Sequence, residues 1–183
     1  MLDIGLIEQA LATGGLALNL YRAAGSSPEQ VRFKVYGTPP AVPLSDILPM
    51  LENMGVKVVD ENPYDVRLSE NDPPVWIRDF SLVSEDGTAV DLDGVREAFH
   101  DAFECVWRGQ MENDGFNKLV LRAGLVAREV TILRAYCKYL RQVQIPFSQS
   151  YMEQTLGRNP QIARALVGLF LVRFDPSHTG ERG

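Results

Sequence analysis

The chain has 183 residues, 45% of them apolar, with 15 Gly and 11 Pro, an ordinary globular composition that excludes disorder as the dominant state. A globule of this size buries roughly 70% of the surface its unfolded chain would expose, enough for a proper core in one domain or two small ones. With 18 basic against 24 acidic side chains and a net charge of −6, it has the wrong balance for a protein that binds nucleic acid by neutralising phosphates.

That net charge conceals a split. Residues 45–115 hold 17 acids and 5 bases, whereas residues 118–144 hold 6 bases and one acid. Opposite fields in adjacent stretches imply two sub-structures. The two cysteines, Cys105 and Cys137, form no CxxC pair and lie in apolar helical stretches, so they read as reduced core residues of a cytoplasmic protein. The start, MLDIGLIEQA, lacks the basic region and long apolar stretch of a signal peptide, and no apolar run is long enough to span a bilayer.

In chain order, Leu2 to Ala12 has a weak helical pattern ended by Gly14 and Gly15. Leu16, Leu18 and Leu20 then alternate with Ala17, Asn19 and Tyr21 as a strand does. After the turn RAAGSSPEQ, Val31, Phe33 and Val35 alternate with Arg32, Lys34 and Tyr36, which makes a hairpin-like pair. GTPPAVP, Gly37 to Pro43, is a rigid loop. The helix after it takes Asp46 as N-cap, puts Pro49 at the third helical position, buries Ile47, Leu48, Leu51 and Met54, and ends at Gly55. Val56 to Val59 is a strand leading to an Asn62-Pro63 turn, with a short extended piece at Tyr64 to Leu68. A turn at Asn71 to Pro74 precedes a strand at Val75 to Val83. From Asp93 the period is helical, with Val95, Ala98, Phe99, Ala102, Phe103 and Val106 on one face and Asp91 or Asp93 as cap.

This β-α-β-β-α order is the split βαβ plan short of its last strand, and the N-terminal strand can fill that edge. The expected fold class is α+β: a ferredoxin-like split βαβ antiparallel sheet with helices on one face, followed by an all-helical extension. In the extension, Lys118 to Leu121, Arg128 to Gln142, Ser148 to Leu156 and Gln161 to Phe174 are helical, with Val130, Leu133, Cys137 and Leu140 as an apolar stripe. Pro146, Asn159-Pro160 and Pro176 punctuate them, Ser148 and Asn159 are good caps, and HTGERG from His178 reads as a frayed terminus. The division is a module over residues 1–110 and a helical segment over residues 111–183.

A search for chemistry returns little. There is no GxGxxG, GxxxxGK[ST], GxSxG, HExxH or acidic calcium loop. Glu97-x-x-His100, with Glu104 beyond, is half of a di-iron carboxylate pattern, but no second copy exists and these residues read as a solvated helix face, so no metal or catalytic residue is assigned. Arg128, Arg134, Lys138 and Arg141 form a basic face that is expected to dock on an acidic neighbour rather than on nucleic acid. Tyr136, Tyr139, Phe147 and Tyr151 read as core rather than as a base-stacking platform. The loop after the second strand can offer backbone amides to a small carboxylate, with Gly37, Thr38, Ser45 and Asp46 as candidate effector contacts; a plain Pro-rich connector is the preferred reading.

Longer phrases carry a resemblance. RFKVYG (Arg32 to Gly37), PLSDILPMLENMGVKVVDENPYDV (Pro43 to Val66), WIRDFSL (Trp76 to Leu82), WRGQMENDGFNKLVLRAGL (Trp107 to Leu125), REVTILRAYCKYLRQ (Arg128 to Gln142) and IPFSQSYMEQTL (Ile145 to Leu156) resemble, in order, an internal passage of the large bacterial NAD-specific glutamate dehydrogenases. The resemblance implies an ACT-like module and the first helices of a linking helical region, with Met1 and HTGERG as edges of a piece. The family oxidatively deaminates glutamate to 2-oxoglutarate with NAD, using a lysine-based glutamate site and a Rossmann-type domain, and neither lies in the matched passage. No catalytic or cofactor-binding residue is therefore carried over, and NAD is implied only for a full-length parent. The expected role is a non-catalytic regulatory or assembly segment that contacts other domains or subunits of a homo-oligomer, without nucleic acid or membrane. The alternative is a stand-alone ACT-like module that senses an amino acid; an independent enzyme has no residue set to support it.

Overall fold

The computed structural model describes residues 2–70 and 72–174; Asn71, Pro176 and the HTGERG stretch lie outside the described residues. Helix α1 (Leu2–Thr13) leads into β1 (Ala17–Tyr21) and β2 (Gln30–Gly37), followed by α2 (Leu44–Asn53), β3 (Val56–Val66), β4 (Val75–Ser84) and α3 (Leu92–Trp107). The strands make one antiparallel sheet in the order β1-β2-β4-β3. This is the split βαβ arrangement that the sequence predicts, with β1 in the edge position of the missing last strand.

Period-2 alternation sends Val31, Phe33 and Val35 to one face, beside Leu20, Phe80 and Leu82, where they meet Ile47 and Leu51 of α2 and Val95, Phe99 and Phe103 of α3 in one core. Phe33 is central, edge-on to Phe99 at 5.2 Å and to Phe103 at 5.0 Å. Both helices thus cover the same face, as the alternation requires. The opposite face is not bare: Ile7 and Ala10 of α1 pack on Ala17, Tyr36, Val75 and Ile77. There the Tyr36 hydroxyl donates to Asp3 at 2.5 Å and Lys34 pairs with Asp3 at 2.9 Å. The hydrogen bond from Tyr36, with that from Lys34, holds the Asp3 carboxyl below its ordinary range.

Helix α3 also seals the β1 edge. The Leu20 N–H donates to His100 Nε2 at 2.9 Å, and the Leu20 carbonyl accepts from Arg96 Nε at 3.0 Å. Outward-facing strand groups are thereby satisfied instead of left as a template for another chain. At the start of α3, Asp91 is the N-cap and its carboxylate accepts from the Gly94 N–H.

Two local expectations are corrected. No turn forms at Asn62-Pro63: β3 runs unbroken through both, with an irregularity between Val58 and Asp60. The physical reason is position, because β3 is an edge strand and a proline there costs no ladder bond when its missing N–H would face outward. Asp46 is not the N-cap of α2, and Pro49 is well inside the helix rather than at its third position. Pro43, at φ −59° and ψ 142°, precedes the helix, and its carbonyl accepts the Asp46 N–H at 3.1 Å. The fixed proline φ and extended ψ supply the non-helical entry that a capping residue otherwise provides.

After α3, a 3-10 turn (Gly115–Lys118) enters α4 (Leu119–Ala123), then α5 (Ala127–Gln142), α6 (Gln149–Arg158) and α7 (Pro160–Phe174). Phe116, Leu119, Val130, Leu133, Cys137, Ala163 and Val167 continue the sheet's main core without a break. Ser148 caps α6 by accepting from the Tyr151 N–H at 3.1 Å. Asn159 works at the end of α6 instead, its side-chain amide donating to the Thr155 carbonyl at 2.8 Å.

Candidate functional site

The opposite charge blocks of the sequence meet where the sheet module joins the helices. The turn after β4 presents Glu85 and Asp86, and α4 with the turn before it presents Lys118 and Arg122. Glu85 is 3.3 Å from Lys118 and 3.0 Å from Arg122, and Asp86 is 3.4 Å from Arg122. Arg122 also donates to the Gly157 carbonyl at 3.1 Å, which brings the end of α6 into the same junction. With Thr88, Gln154 and Arg158 these residues line a cleft of about 880 Å³. Burial alone would raise the Asp86 carboxyl, but hydrogen bonds from Thr88 and Ser84 and the Arg122 charge bring it down to about 2. Gly55, at φ +86°, ends α2 where a Cβ would lie 3.0 Å from Lys118 Cβ. This close passage brings the end of α2 against the 3-10 turn.

A second ionic cluster lies deeper. Arg134 of α5 is 4% exposed and holds Asp114 with two bonds, Nε at 2.7 Å and Nη2 at 2.9 Å, while Nη2 also donates to Asn117 Oδ1 at 2.8 Å. Asp114 in turn caps the 3-10 turn by accepting from the Phe116 N–H at 3.1 Å. Lys138 pairs with Glu112. The basic face therefore docks, through Arg134 and Lys138, on the acidic stretch before α4, as its charge predicts, whereas Arg128 and Arg141 remain exposed.

The structure separates the other sequence candidates. Gly37 is buried because the Trp76 ring lies over it, where an added Cβ would run into the ring. The Trp76 indole N–H donates to the Thr38 carbonyl at 2.9 Å. Ser45 and Asp46 stand exposed in the first turn of α2. His100 is not on a solvated face: its ring packs toward Phe33 at 6.1 Å and is neutral, because Nε2 accepts from Leu20. Burial, reinforced by the nearby Arg96 charge, pushes its pKa down to about 4. Among the described residues no group of His, Cys, Asp and Glu could hold a metal ion.

The aromatic set is not core either. Tyr136, Tyr139, Phe147 and Tyr151 are 38%, 60%, 49% and 53% exposed. The α5 tyrosines lie away from the buried Val130, Leu133 and Cys137 side, and Phe147 stacks on Tyr151 at 5.0 Å outside it. Cys137 is buried, which raises its thiol pKa.

Among the described residues of the sheet module, neither α2 nor α3 offers the open helix N-terminus that a dinucleotide pyrophosphate uses. The sheet is antiparallel, α2 is entered from a proline, and α3 already has the Asp91 carboxylate on its first-turn N–H, where a pyrophosphate would need to sit. At the junction the carboxylates of Glu85 and Asp86 are matched by Lys118 and Arg122 along the wall of the cleft.

Fold and site together define a class: an ACT-like α+β module joined through a common core and ion pairs to a helical motif. Residues 15–95 match the glutamate dehydrogenase ACT3 domain, and residues 111–176 match glutamate dehydrogenase helical motif 3. The chain carries these two modules of the glutamate dehydrogenase family. It is similar to the NAD-specific glutamate dehydrogenases of Halomonas elongata (43% identical over 168 residues, 92% of this chain), Pseudomonas aeruginosa (40% over 159 residues, 87%) and Mycobacterium tuberculosis (42% over 142 residues, 75%). It spans only 10%, 10% and 9% of the length of these curated relatives. Among the described residues, no helix is long and apolar enough to cross a membrane.

The residues that sequence reading missed are Glu85, Asp86, Lys118 and Arg122. The only signal for them was the reversal of charge between the two stretches, which announces attraction without naming pairs.

Proposed function

We propose that the chain is a non-catalytic regulatory and assembly segment of an NAD-specific glutamate dehydrogenase, whose reaction is the oxidative deamination of L-glutamate to 2-oxoglutarate. In this reading NAD and glutamate are bound elsewhere in a longer cytoplasmic polypeptide. The partners of this segment are other domains or subunits of a homo-oligomer, not nucleic acid or a membrane. The supporting observation is the continuous core: sheet face and helices α4, α5 and α7 share one apolar cluster, clamped at its rim by Glu85, Asp86, Lys118 and Arg122. A unit built this way transmits position, since displacing the sheet displaces the helices.

The chain alone should not reduce NAD with glutamate, and turnover that survives repurification would overturn the proposal. In a full-length enzyme containing this segment, Arg122→Glu should lower the assembly state or its thermal stability while the intact oligomer keeps its KM for glutamate. In this reading the Gly37 to Asp46 loop is a connector whose glycine makes room for the Trp76 ring. Titration calorimetry with glutamate and aspartate tests this, and saturable heat lost in Asp46→Ala would favour the amino-acid sensor instead.

A further inference from the structure

The outer side of the helical region carries an apolar surface that nothing in the described chain covers. Helix α7 has apolar residues around most of its circumference, yet only Ala163 and Val167 are buried. Ile162, Leu166, Leu169, Val172 and Phe174 are 48%, 38%, 64%, 65% and 59% exposed. A helix with apolar residues all round is normally enclosed by its neighbours. Beside this ridge, between α5 and α7, runs a groove of about 510 Å³ lined by Arg128, Ile132, Tyr136, Tyr139 and Phe170 among others. Its floor is preorganised: Tyr136 meets Phe170 edge-on at 6.0 Å, and Phe170 lies 4.9 Å from Phe174.

The charge around this surface selects its occupant. Arg128, exposed on α5, lines the groove, and Arg173 stands on the flank of α7 that Phe170 occupies, in a helix with no acid. A second copy packed face to face would bring like charges together at the rim, which is unfavourable. We infer that the α5/α7 face is the docking surface for an acidic amphipathic helix supplied by another segment of the longer polypeptide. Its apolar stripe fills the groove and its carboxylates meet Arg128 and Arg173. The inference rests on the assembly role proposed above and names the kind of partner that role requires.

Fluorescence anisotropy of labelled overlapping peptides that tile the full-length relatives, titrated with the purified chain, tests it. The strongest binders should be net acidic, carry apolar residues at helical spacing, gain helical circular dichroism on binding and weaken with salt. The double variant Tyr139→Glu with Leu169→Glu, both at exposed positions, should keep the parent melting curve and lose at least about tenfold in affinity. Should that variant melt early, Arg128→Glu with Arg173→Glu provides an independent test, because reversing the rim charge should weaken the acidic peptides alone. Four results would overturn the inference: no tile binds, the binders are basic or remain non-helical, sedimentation shows that the chain dimerises through this face, or phosphatidylglycerol vesicles bind where peptides do not. None of these outcomes bears on the Arg122→Glu test, so the two readings fail separately.

Discussion

Removing the Arg134 guanidinium should be the costliest single change in the helical half that leaves the apolar core intact. Its side chain is 5% exposed and that of Asp114 13%, and Asn117 is fully buried. Breaking a buried pair from one side costs about 3–5 kcal/mol, because a charge remains without its partner. Asp114 would keep the Phe116 N–H and a 3.3 Å bond from Gln149, so Arg134→Ala should fall at the low end, about 3 kcal/mol. For a chain of this size that corresponds to a drop in Tm of roughly 6–12 °C. Lys138→Ala is the matched control: Lys138 pairs with Glu112 on the surface, both side chains about half exposed, and its loss should cost under about 0.5 kcal/mol. Arg134→Met combined with Asp114→Asn removes both charges while retaining a residue that can cap the 3-10 turn, and should recover at least half of the loss. The assay is thermal unfolding by circular dichroism. The reasoning is refuted if Arg134→Ala and Lys138→Ala melt together, or if the double variant is no better than Arg134→Ala alone.

Two further outcomes are expected. The His100 pKa of about 4 lies below the unfolded value of 6.5, so the neutral ring's contribution is complete above that value and is lost as pH falls from 6.5 toward 4; with part of the ring open to solvent, the loss is about 2 kcal/mol. His100→Gln, which keeps an acceptor for the Leu20 N–H, should flatten the denaturation midpoint across that window, and an unchanged slope would refute the assignment. Leu133→Asp, at a position 1% exposed, should cost several kcal/mol or abolish folding, because it buries an unpaired charge on the α5 stripe. A melting curve like that of Lys138→Ala would show that the stripe does not face the core.

How much of this was legible depended on the range over which each signal acts. Alternation at Val31, Phe33 and Val35 and the helical spacing of Val95, Phe99 and Phe103 are local and strong. They predicted the sheet face, the side on which both helices lie and the edge that β1 fills. Asn62-Pro63 misled because turn chemistry was weighed without the strand's place in the sheet: the dipeptide breaks an interior strand but not the outer edge of β3. Asp46 misleads because a good capping side chain stands next to Pro43, whose ring already sets the entry geometry. The polar neighbours of His100 point to solvent, yet α3 overhangs the β1 edge there, and the ring answers a backbone N–H that no helical wheel displays.

The junction and the docking face resist sequence reading for opposite reasons. Glu85 and Lys118 are 33 positions apart, and which acid meets which base is decided by how the β4 turn and the 3-10 turn approach one another. Gly55 permits that approach, yet it announces itself only as the end of a helix. Charge blocks therefore establish that the halves attract, and the fold assigns the pairs. In α7 the difficulty is an excess of signal: apolar residues on most sides satisfy any proposed face, so Ala163 and Val167 could not be distinguished in advance from Leu169 and Val172. The distinction appears only in the fold, where Ala163 and Val167 enter the core, Leu171 packs against it, and Leu169 and Val172 stay outward. A helix that buries only Ala163 and Val167 while Ile162, Leu166, Leu169, Val172 and Phe174 stand exposed departs from the pattern expected for a finished surface. That departure, together with arginines and no acid along its length, sets the α7 face apart from the rest of the described surface.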